Sequence, residues 1–425
     1  MQPLYILNLF FNNFKKSGFE LNMDCDVAIV GAGPAGSTVA KFLAEKGLKI
    51  ALIDKSKFPR DKPCAGGLPS RVLKRFPYIN EKDLMESYSY GGFALSPSLK
   101  YKAMVREKDP VVGMVLRKKF DMGLVGLAVE KGVKLIDGKS VEDIKILEDK
   151  VKISLDDNTT IESKIIVGAD GVWSVVAKKT GLMSSIRSYG ICIFNEYELG
   201  ENEIERLFGK ERMCYLHLSF KNIFGYGWVF PKKQHVNIGI GMIIPKKITK
   251  EPKRNLLDVY KDYFNTLKED KVLPENLDIG KCCGGAIPFV PLDKTYADRV
   301  ILVGDAAGFI NPLTGEGIYY AMTSGEIAAK VIIGSLEAND ASENYLSQYQ
   351  NLWKEDFGKD LEIFQGMTKY VKSSSELVVR FACKDKKIAD ISLGVLHGSL
   401  SISKCYGKLL RRYIWVDIKE KLGII

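Results

Sequence analysis

The sequence predicts an α/β fold. A Rossmann-type βαβ unit opens a nucleotide-binding domain, an antiparallel β layer interrupts that domain, and helices close the chain. Three observations predict this. GAGPAG at 31–36 lies between an apolar run and a helical pattern. Two further glycine turns, GADG at 168–171 and GDAAG at 304–308, each follow an apolar run far downstream. Between them, alternating segments fill 183–280, among them ICIFNEYEL, MCYLHLSF, YGWVFP and VNIGIGMII.

DVAIV (26–30) is a run of small and β-branched residues, the pattern of a parallel strand buried on both faces. GAGPAG follows, then a helix predicted over 37–46 and a second strand, IALID (50–54). Gly31 serves the tight turn, Gly33 lets the backbone approach a pyrophosphate, and Gly36 lets helix and strand pack closely. The pyrophosphate belongs at the helix N-terminus, where free N–H groups and the helix dipole favour negative charge. Asp54 ends the second strand, placed to accept from a ribose 2′-hydroxyl. A chance glycine cluster would not bring strand, loop, helix, strand and acid into this order.

This motif does not separate FAD from NAD. KIIVGADGVWSVVAKKTG (164–181) reads as a strand, a turn at Asp170-Gly171 and a short helix. RVILVGDAAGFINPLTGEGIYYAM (299–322) reads as a strand with Asp305 at its C-terminal end, where a carboxylate can accept from the sugar hydroxyls of a flavin nucleotide. A helix predicted from about residue 318 to 336 would point its positive end at the N1/C2=O edge of a reduced flavin. Either motif alone is an ordinary strand–turn–helix connection. In this order, downstream of GAGPAG, they point to FAD.

The nucleotide domain is therefore expected in three pieces, 24–64, 110–182 and 275–338. Residues 65–109 and 183–274 are expected to form the antiparallel substrate layer, 339–425 a C-terminal helical region, and 1–23 an N-terminal extension. IGIGM (238–242) lies inside a strand pattern and opens no helix, so a second dinucleotide domain is not expected.

Four local stretches carry a resemblance beyond these motifs: KPCAGGL (62–68), VLRKKFD (115–121), GYGWVFPKKQHVNIGIG (225–241) and NPLTGEGI (311–318). With them the chain, from about residue 24 to 340, resembles the FAD-dependent geranylgeranyl reductases, and looks closest to their archaeal digeranylgeranylglycerophospholipid branch. The resemblance implies a para-hydroxybenzoate-hydroxylase-like FAD-binding fold. It implies flavin contacts at Ala35, Gly36, Asp54, Lys55, Cys64, Ala65, Gly67, Arg117, Val141, Asp305, Gly317 and Ile318, beside Gly33 of the glycine loop. KPCAGGL departs from the family pattern in carrying Ala65 where a glycine is expected. Arg117 is also suited physically, since a guanidinium pairs with phosphate or caps a flavin edge.

The implied reaction saturates an isolated alkene in an isoprenoid lipid. No carbonyl activates such a bond, so protonation must accompany hydride transfer from the flavin, in a dry apolar tunnel. Tyr226, Trp228 and Phe230 alternate along one strand, share a face, and could line such a tunnel or simply pack in the core. Cys64 and Tyr226 are the candidate proton donors; a water on the flavin serves equally. The electron donor is expected to be reduced ferredoxin or NAD(P)H.

Net charge is +10, from 62 Lys and Arg against 52 Asp and Glu. A basic surface suits anionic membranes or a phospholipid, and equally a lysine-rich chain with solvated faces. No basic stripe interleaved with aromatics suggests nucleic-acid binding. The eight cysteines form no CxxC pair, and the three histidines are dispersed, so no metal site is expected. No apolar run reaches the roughly 18 residues that span a bilayer, and Leu4–Phe11 is a poor signal peptide. A cytoplasmic protein, peripheral on the inner face of the membrane, is the expected location. Five alternatives compete, the first a reductase of geranylgeranyl diphosphate or another prenyl chain. A flavin monooxygenase or a halogenase would share the fold, but YGWVFP differs from a halogenase WxWxIP signature. A quinone oxidoreductase relative would need a four-cysteine cluster site, and a non-catalytic prenyl-lipid escort would not need the flavin motifs.

Overall fold

The computed structural model describes residues 23–183, 188–244 and 255–424. The apolar N-terminal stretch lies outside the described residues. Met23 belongs to the first strand rather than to an extension, pairing with Ile161. Strands β1 (Met23–Val30) and β2 (Ile50–Asp54) flank helix α1 (Pro34–Ala44). Val27, Ala28, Ile29 and Ile50 to Ile53 are at most 3% exposed, which is why both strands are continuously apolar. Helix α1 starts three residues earlier than the pattern suggested. Pro34 occupies its first turn, where a fixed φ and a missing N–H cost nothing.

The chain then forms β3 (Gly67–Pro69), α2 (Ser70–Arg75), β4 (Ser87–Ser89), β5 (Gly91–Leu95), β6 (Lys102–Arg106) and β7 (Val112–Met114). Next come α3 (Arg117–Val129), β8 (Lys134–Asp137), β9 (Val141–Ile146), β10 (Val151–Leu155), β11 (Thr160–Gly168) and α4 (Val175–Lys179). Strands β12 (Tyr189–Glu198), β13 (Cys214–Leu218), β14 (Gly225–Pro231) and β15 (His235–Ile244) precede α5 (Leu256–Glu269). Then follow β16 (Cys283–Pro288), β17 (Tyr296–Ala297), β18 (Val300–Leu302), α6 (Gly304–Ala307) and α7 (Ile318–Glu337). The chain closes with α8 (Glu343–Trp353), α9 (Lys359–Thr368), α10 (Val371–Lys384), α11 (Lys386–Leu396) and α12 (Ile402–Lys421).

Among the described residues these strands make three sheets. The first runs β17-β18-β11-β1-β2-β8, with β10 and β9 attached beside β11; its β18-β11-β1-β2-β8 pairs are parallel. The second runs β16-β12-β15-β14-β13-β5-β6 and is antiparallel except between β13 and β5. The third, β3-β7-β4, corrects the expectation that all of 65–109 joins the substrate layer. Only β5 and β6 do. The chain changes sheets at Tyr90, whose N–H donates to the Glu211 carbonyl instead of continuing the β4 ladder.

One apolar core lies between the parallel sheet and helices α1, α7 and α8. Another lies between the seven-stranded sheet and α5, with Tyr260 and Tyr263 fully buried. The register of the parallel sheet positions the site. Ile136, Ile53, Val30, Gly168 and Leu302 form one row across five strands. The three glycine motifs and Asp54 therefore emerge side by side at the carboxyl ends of neighbouring strands, the place where open parallel sheets bind ligands.

Candidate active site

The glycine loop is closed by backbone contact. The Gly31 N–H donates to the Ile53 carbonyl at 2.6 Å and the Ala169 N–H to the Val30 carbonyl at 2.7 Å. Gly31 has φ +102°, and a Cβ there would overlap the Ala169 carbonyl. A Cβ at Gly36 would overlap the Gly31 carbonyl. Gly33 differs: the nearest atom to an added Cβ is Arg60 Nη2, 3.6 Å away. A Cβ there would meet only the end of the Arg60 side chain, at ordinary contact distance, and no backbone.

Asp54 accepts from the Ala32 N–H and the Ser56 N–H, both at 2.9 Å, and lies 3.5 Å from Arg60. It fastens the glycine loop to the end of β2. Arg60 also donates to Asp121 at 3.0 Å. Asp121, fully buried, takes a bidentate pair from Arg117 at 2.7 and 2.8 Å. Burial alone would lower the pKa of Arg117; Asp121, then Cys64, outweigh it and raise the value. Arg117 is thus committed to Asp121. Lys55 is exposed, and Val141 opens β9, partly buried against the parallel-sheet core.

The Cys64–Gly67 loop crosses from this charge network to the seven-stranded sheet. Cys64 Sγ accepts from the Gly66 N–H at 3.4 Å. Beneath the loop, Lys232 is 1% exposed and pairs with Glu196 at 2.6 Å. Asn237 donates to Glu196 at 3.0 Å and to the Cys64 carbonyl at 3.5 Å, and accepts from Trp228 Nε1 at 2.8 Å. A Cβ at Gly66 would lie 3.1 Å from Lys232 Nζ, and one at Gly67 3.0 Å from the Phe230 ring.

On the other wall, Asp305 sits in the single turn α6, and an added Cβ at Gly317 would lie 3.4 Å from its Oδ1. Lys62 is exposed. Burial lowers its pKa, and Asp305 opposes that shift. Helix α7 begins after Gly317 at Ile318, and neither it nor α1 has a side-chain cap. A Cβ at Gly304 would lie 3.0 Å from the Ala35 Cβ and one at Gly325 2.8 Å from the Ala35 carbonyl, so the two helices pack directly. Two bare helix N-termini thus reach one cleft.

The structure brings Tyr226, Trp228 and Phe230 to one face of β14, as alternation predicted, while Gly227 and Val229 turn toward α5. Tyr226 donates its hydroxyl to the Thr314 carbonyl, and its ring lies 5.8 Å from that of Trp228. Burial, then Cys192 and Cys64, push the Tyr226 pKa up, so the phenol is neutral. Trp228 is 5% exposed and packs over Gly239, so it backs the site rather than lining open space.

Sequence reasoning missed Arg60, Asp121, Glu196, Lys232, Asn237, Arg71 and Glu316. Arg71 holds Glu316 through the Nε–Nη2 edge of its guanidinium and lies 3.9 Å from the Tyr319 ring centroid. The glycines around Glu316 in NPLTGEGI hinted at a tight loop, but not at a buried carboxylate.

These residues fit FAD: a Gly33 that no backbone crowds, two uncapped helix ends, a carboxylate at each of two strand ends, and an apolar wall opposite. A family profile described as an FAD binding domain matches residues 24–354. A relative from Methanococcus aeolicus named digeranylgeranylglycerophospholipid reductase is 32% identical over 397 residues, 88% of this chain and 93% of its own. The chain belongs to the FAD-dependent geranylgeranyl reductase family. It is an FAD-dependent oxidoreductase. A geranylgeranyl bacteriochlorophyll reductase-like protein of Thermoplasma acidophilum superposes with a TM-score of 0.76 at 22% identity, covering 91% of this chain and 99% of that one. A flavin-dependent brominase gives 0.72 at 19% identity, covering 94% and 100%. These two likenesses establish the fold, which reductases and halogenases share.

Proposed function

We propose that this family member saturates the isolated C=C bonds of geranylgeranyl chains on digeranylgeranylglycerophospholipids. The observation that carries the reading is the placement of β14. Tyr226 docks on the 311–316 loop and Phe230 on Gly67, so an aromatic wall closes the cleft opposite the helix ends. The lipid named in the family's archaeal members is the substrate class that such a wall suits.

Bound and reduced, FAD supplies the hydride. The protein's part is to bind, orient and exclude water. Gly33, Ala35 and Gly36 hold the pyrophosphate at the start of α1, where unpaired N–H groups meet its charge. Asp54 and Lys55 serve the adenosine side together with Val141. Asp305, Gly317 and Ile318 hold the isoalloxazine side, and Cys64, Ala65 and Gly67 cover the ring, with Arg117 anchoring that loop. Phe230 keeps the site apolar and presents its π face to developing positive charge, with Trp228 packed behind it. Of the two side-chain candidates, beside a water on the flavin, Tyr226 already donates to Thr314. Cys64 is therefore the proton donor we favour. Reduced ferredoxin or NAD(P)H supplies electrons, and the protein works in the cytoplasm against the inner membrane face.

The test is anaerobic incubation of dithionite-reduced protein with digeranylgeranylglyceryl phospholipid, read by mass spectrometry. Mass gains in steps of two hydrogens are expected. An unchanged lipid with a fully reduced flavin overturns the reading.

A further inference from the structure

Helix α12 buries one face and leaves the other bare. Ile402, Cys405, Leu409 and Val416 pack with Phe364, Phe381 and Ile388 of the preceding helices. On the far side Tyr406, Leu410, Ile414 and Ile418 recur every four residues, and Leu422 continues the spacing just past the helix. They are between 40% and 68% exposed, and Trp415 beside them is 48% exposed. Four-residue spacing makes one ridge along a helix, so this is a continuous apolar stripe. A soluble surface scatters such residues singly.

The charge around the stripe is one-sided. Helix α12 carries Lys404, Lys408, Arg411, Arg412, Lys419 and Lys421 against Asp417 and Glu420. Both acids are neutralised within the protein: Asp417 pairs with Lys421 at 2.6 Å, and Glu420 with Lys384 at 2.7 Å and Arg380 at 3.1 Å. Arg412 pairs with Asp385. Among the described residues no carboxylate lies within ion-pair distance of Lys404, Lys408, Arg411 or Lys419. An apolar ridge flanked by unpaired cations complements an anionic lipid surface. A second copy docking on the same ridge would bring two sets of these cations together.

The inner side of this helical layer touches the site. Leu313, from the loop that holds Glu316, packs against the α12 cluster. The Ser70 hydroxyl donates to the His397 carbonyl at 3.4 Å, and an added Cβ at Gly398 would overlap the Arg71 side chain. No helix among the described residues is long and apolar enough to cross a membrane.

We propose that α12 docks flat on an anionic bilayer, its Tyr406-to-Leu422 stripe among the acyl chains and Lys404, Lys408, Arg411 and Lys419 at the phosphates. The full-length holoprotein is sedimented with phosphatidylglycerol vesicles and with phosphatidylcholine vesicles. Binding to the anionic vesicles at least tenfold tighter than to the neutral ones, and weakened by added salt, is expected. Leu410→Glu/Ile414→Glu is expected to lower that binding at least tenfold, and Lys408→Gln/Arg411→Gln to lower it and flatten its salt dependence. Both pairs are exposed, so flavin content and melting temperature should hold; if the first variant fails to fold, the second carries the test. Equal binding to both vesicles, or unchanged binding by the variants, overturns the proposal. So does a dimer that Leu410→Glu/Ile414→Glu splits while the parent protein ignores vesicles. Turnover of detergent-dispersed lipid reads the reductase assignment separately, because it needs no docking.

Discussion

Replacing Arg71 by methionine is expected to destabilise the loop that leads into α7. Arg71 and Glu316 are 17% and 7% exposed at their side chains, and Arg71 Nε donates to Glu316 at 3.2 Å. Arg71 also donates to the Tyr320 hydroxyl at 3.2 Å. Burial raises the Glu316 pKa, and Arg71 pulls it back. Without the guanidinium, the carboxylate is stranded in an apolar place. Losing one partner of such a pair costs about 3–5 kcal/mol. Protonation of Glu316 limits that loss, because each pH unit of pKa rise is worth about 1.4 kcal/mol. A loss of about 3 kcal/mol at neutral pH corresponds to a fall in Tm of roughly 3–4 °C for a chain of 425 residues. The loss should shrink as pH falls and Glu316 takes its proton. Thermal melts of Arg71→Met, Glu316→Gln and the double variant form a cycle, and a coupling of about 2 kcal/mol is expected. Flavin affinity should drop in parallel, because Gly317 and Ile318 continue the same loop. A coupling below about 0.5 kcal/mol would show that the pair is incidental.

Gly33→Val should separate folding from cofactor binding: its Cβ has room in the protein, so the Tm of the flavin-free form should hold while flavin content falls at least tenfold. A yellow protein with full occupancy would contradict the pyrophosphate assignment. Glu196→Ala strands Lys232, which is 1% exposed, and should cost about 3 kcal/mol while loosening flavin binding through Asn237 and the Cys64 loop. An unchanged melting curve would argue against that network. His217, 1% exposed and hydrogen-bonded to the Tyr263 hydroxyl at 3.0 Å, has its pKa pushed down from 6.5 to about 4 by burial, with Lys102 adding to the shift. The unfolded chain binds this proton at a higher pH than the folded one. Stability is thus fully present above pH 6.5 and lost as pH falls toward 4, by up to about 3 kcal/mol. Denaturant midpoints at neutral and mildly acid pH should therefore differ less in His217→Gln than in the parent, and parallel pH slopes would refute the assignment.

Features set by local spacing were legible in the sequence. Gly31, Gly33, Gly36 and Asp54 could be read because turn, approach, packing and acid fall within one βαβ unit. The alternation of Tyr226, Trp228 and Phe230 forecast their shared face for the same reason. Contacts between distant segments were not legible. Arg71 and Glu316 are 245 positions apart, and Arg60 and Asp121 are 61 apart. Nothing local marks Lys232 as a buried cation, because its burial depends on where the Cys64–Gly67 loop crosses the sheet. The sheet change at Tyr90 was missed because short strands carry too little periodicity to say which sheet they join.

The sequence by itself determined the first βαβ unit, the strands that lead into the later glycine turns, and the three glycine motifs, since backbone conformation and apolar periodicity are properties of neighbouring residues. Only the tertiary structure decided which charges neutralise one another, which aromatic rings face the cleft, and which helix face stays bare. Those outcomes follow from strand register and helix packing, which join segments hundreds of residues apart.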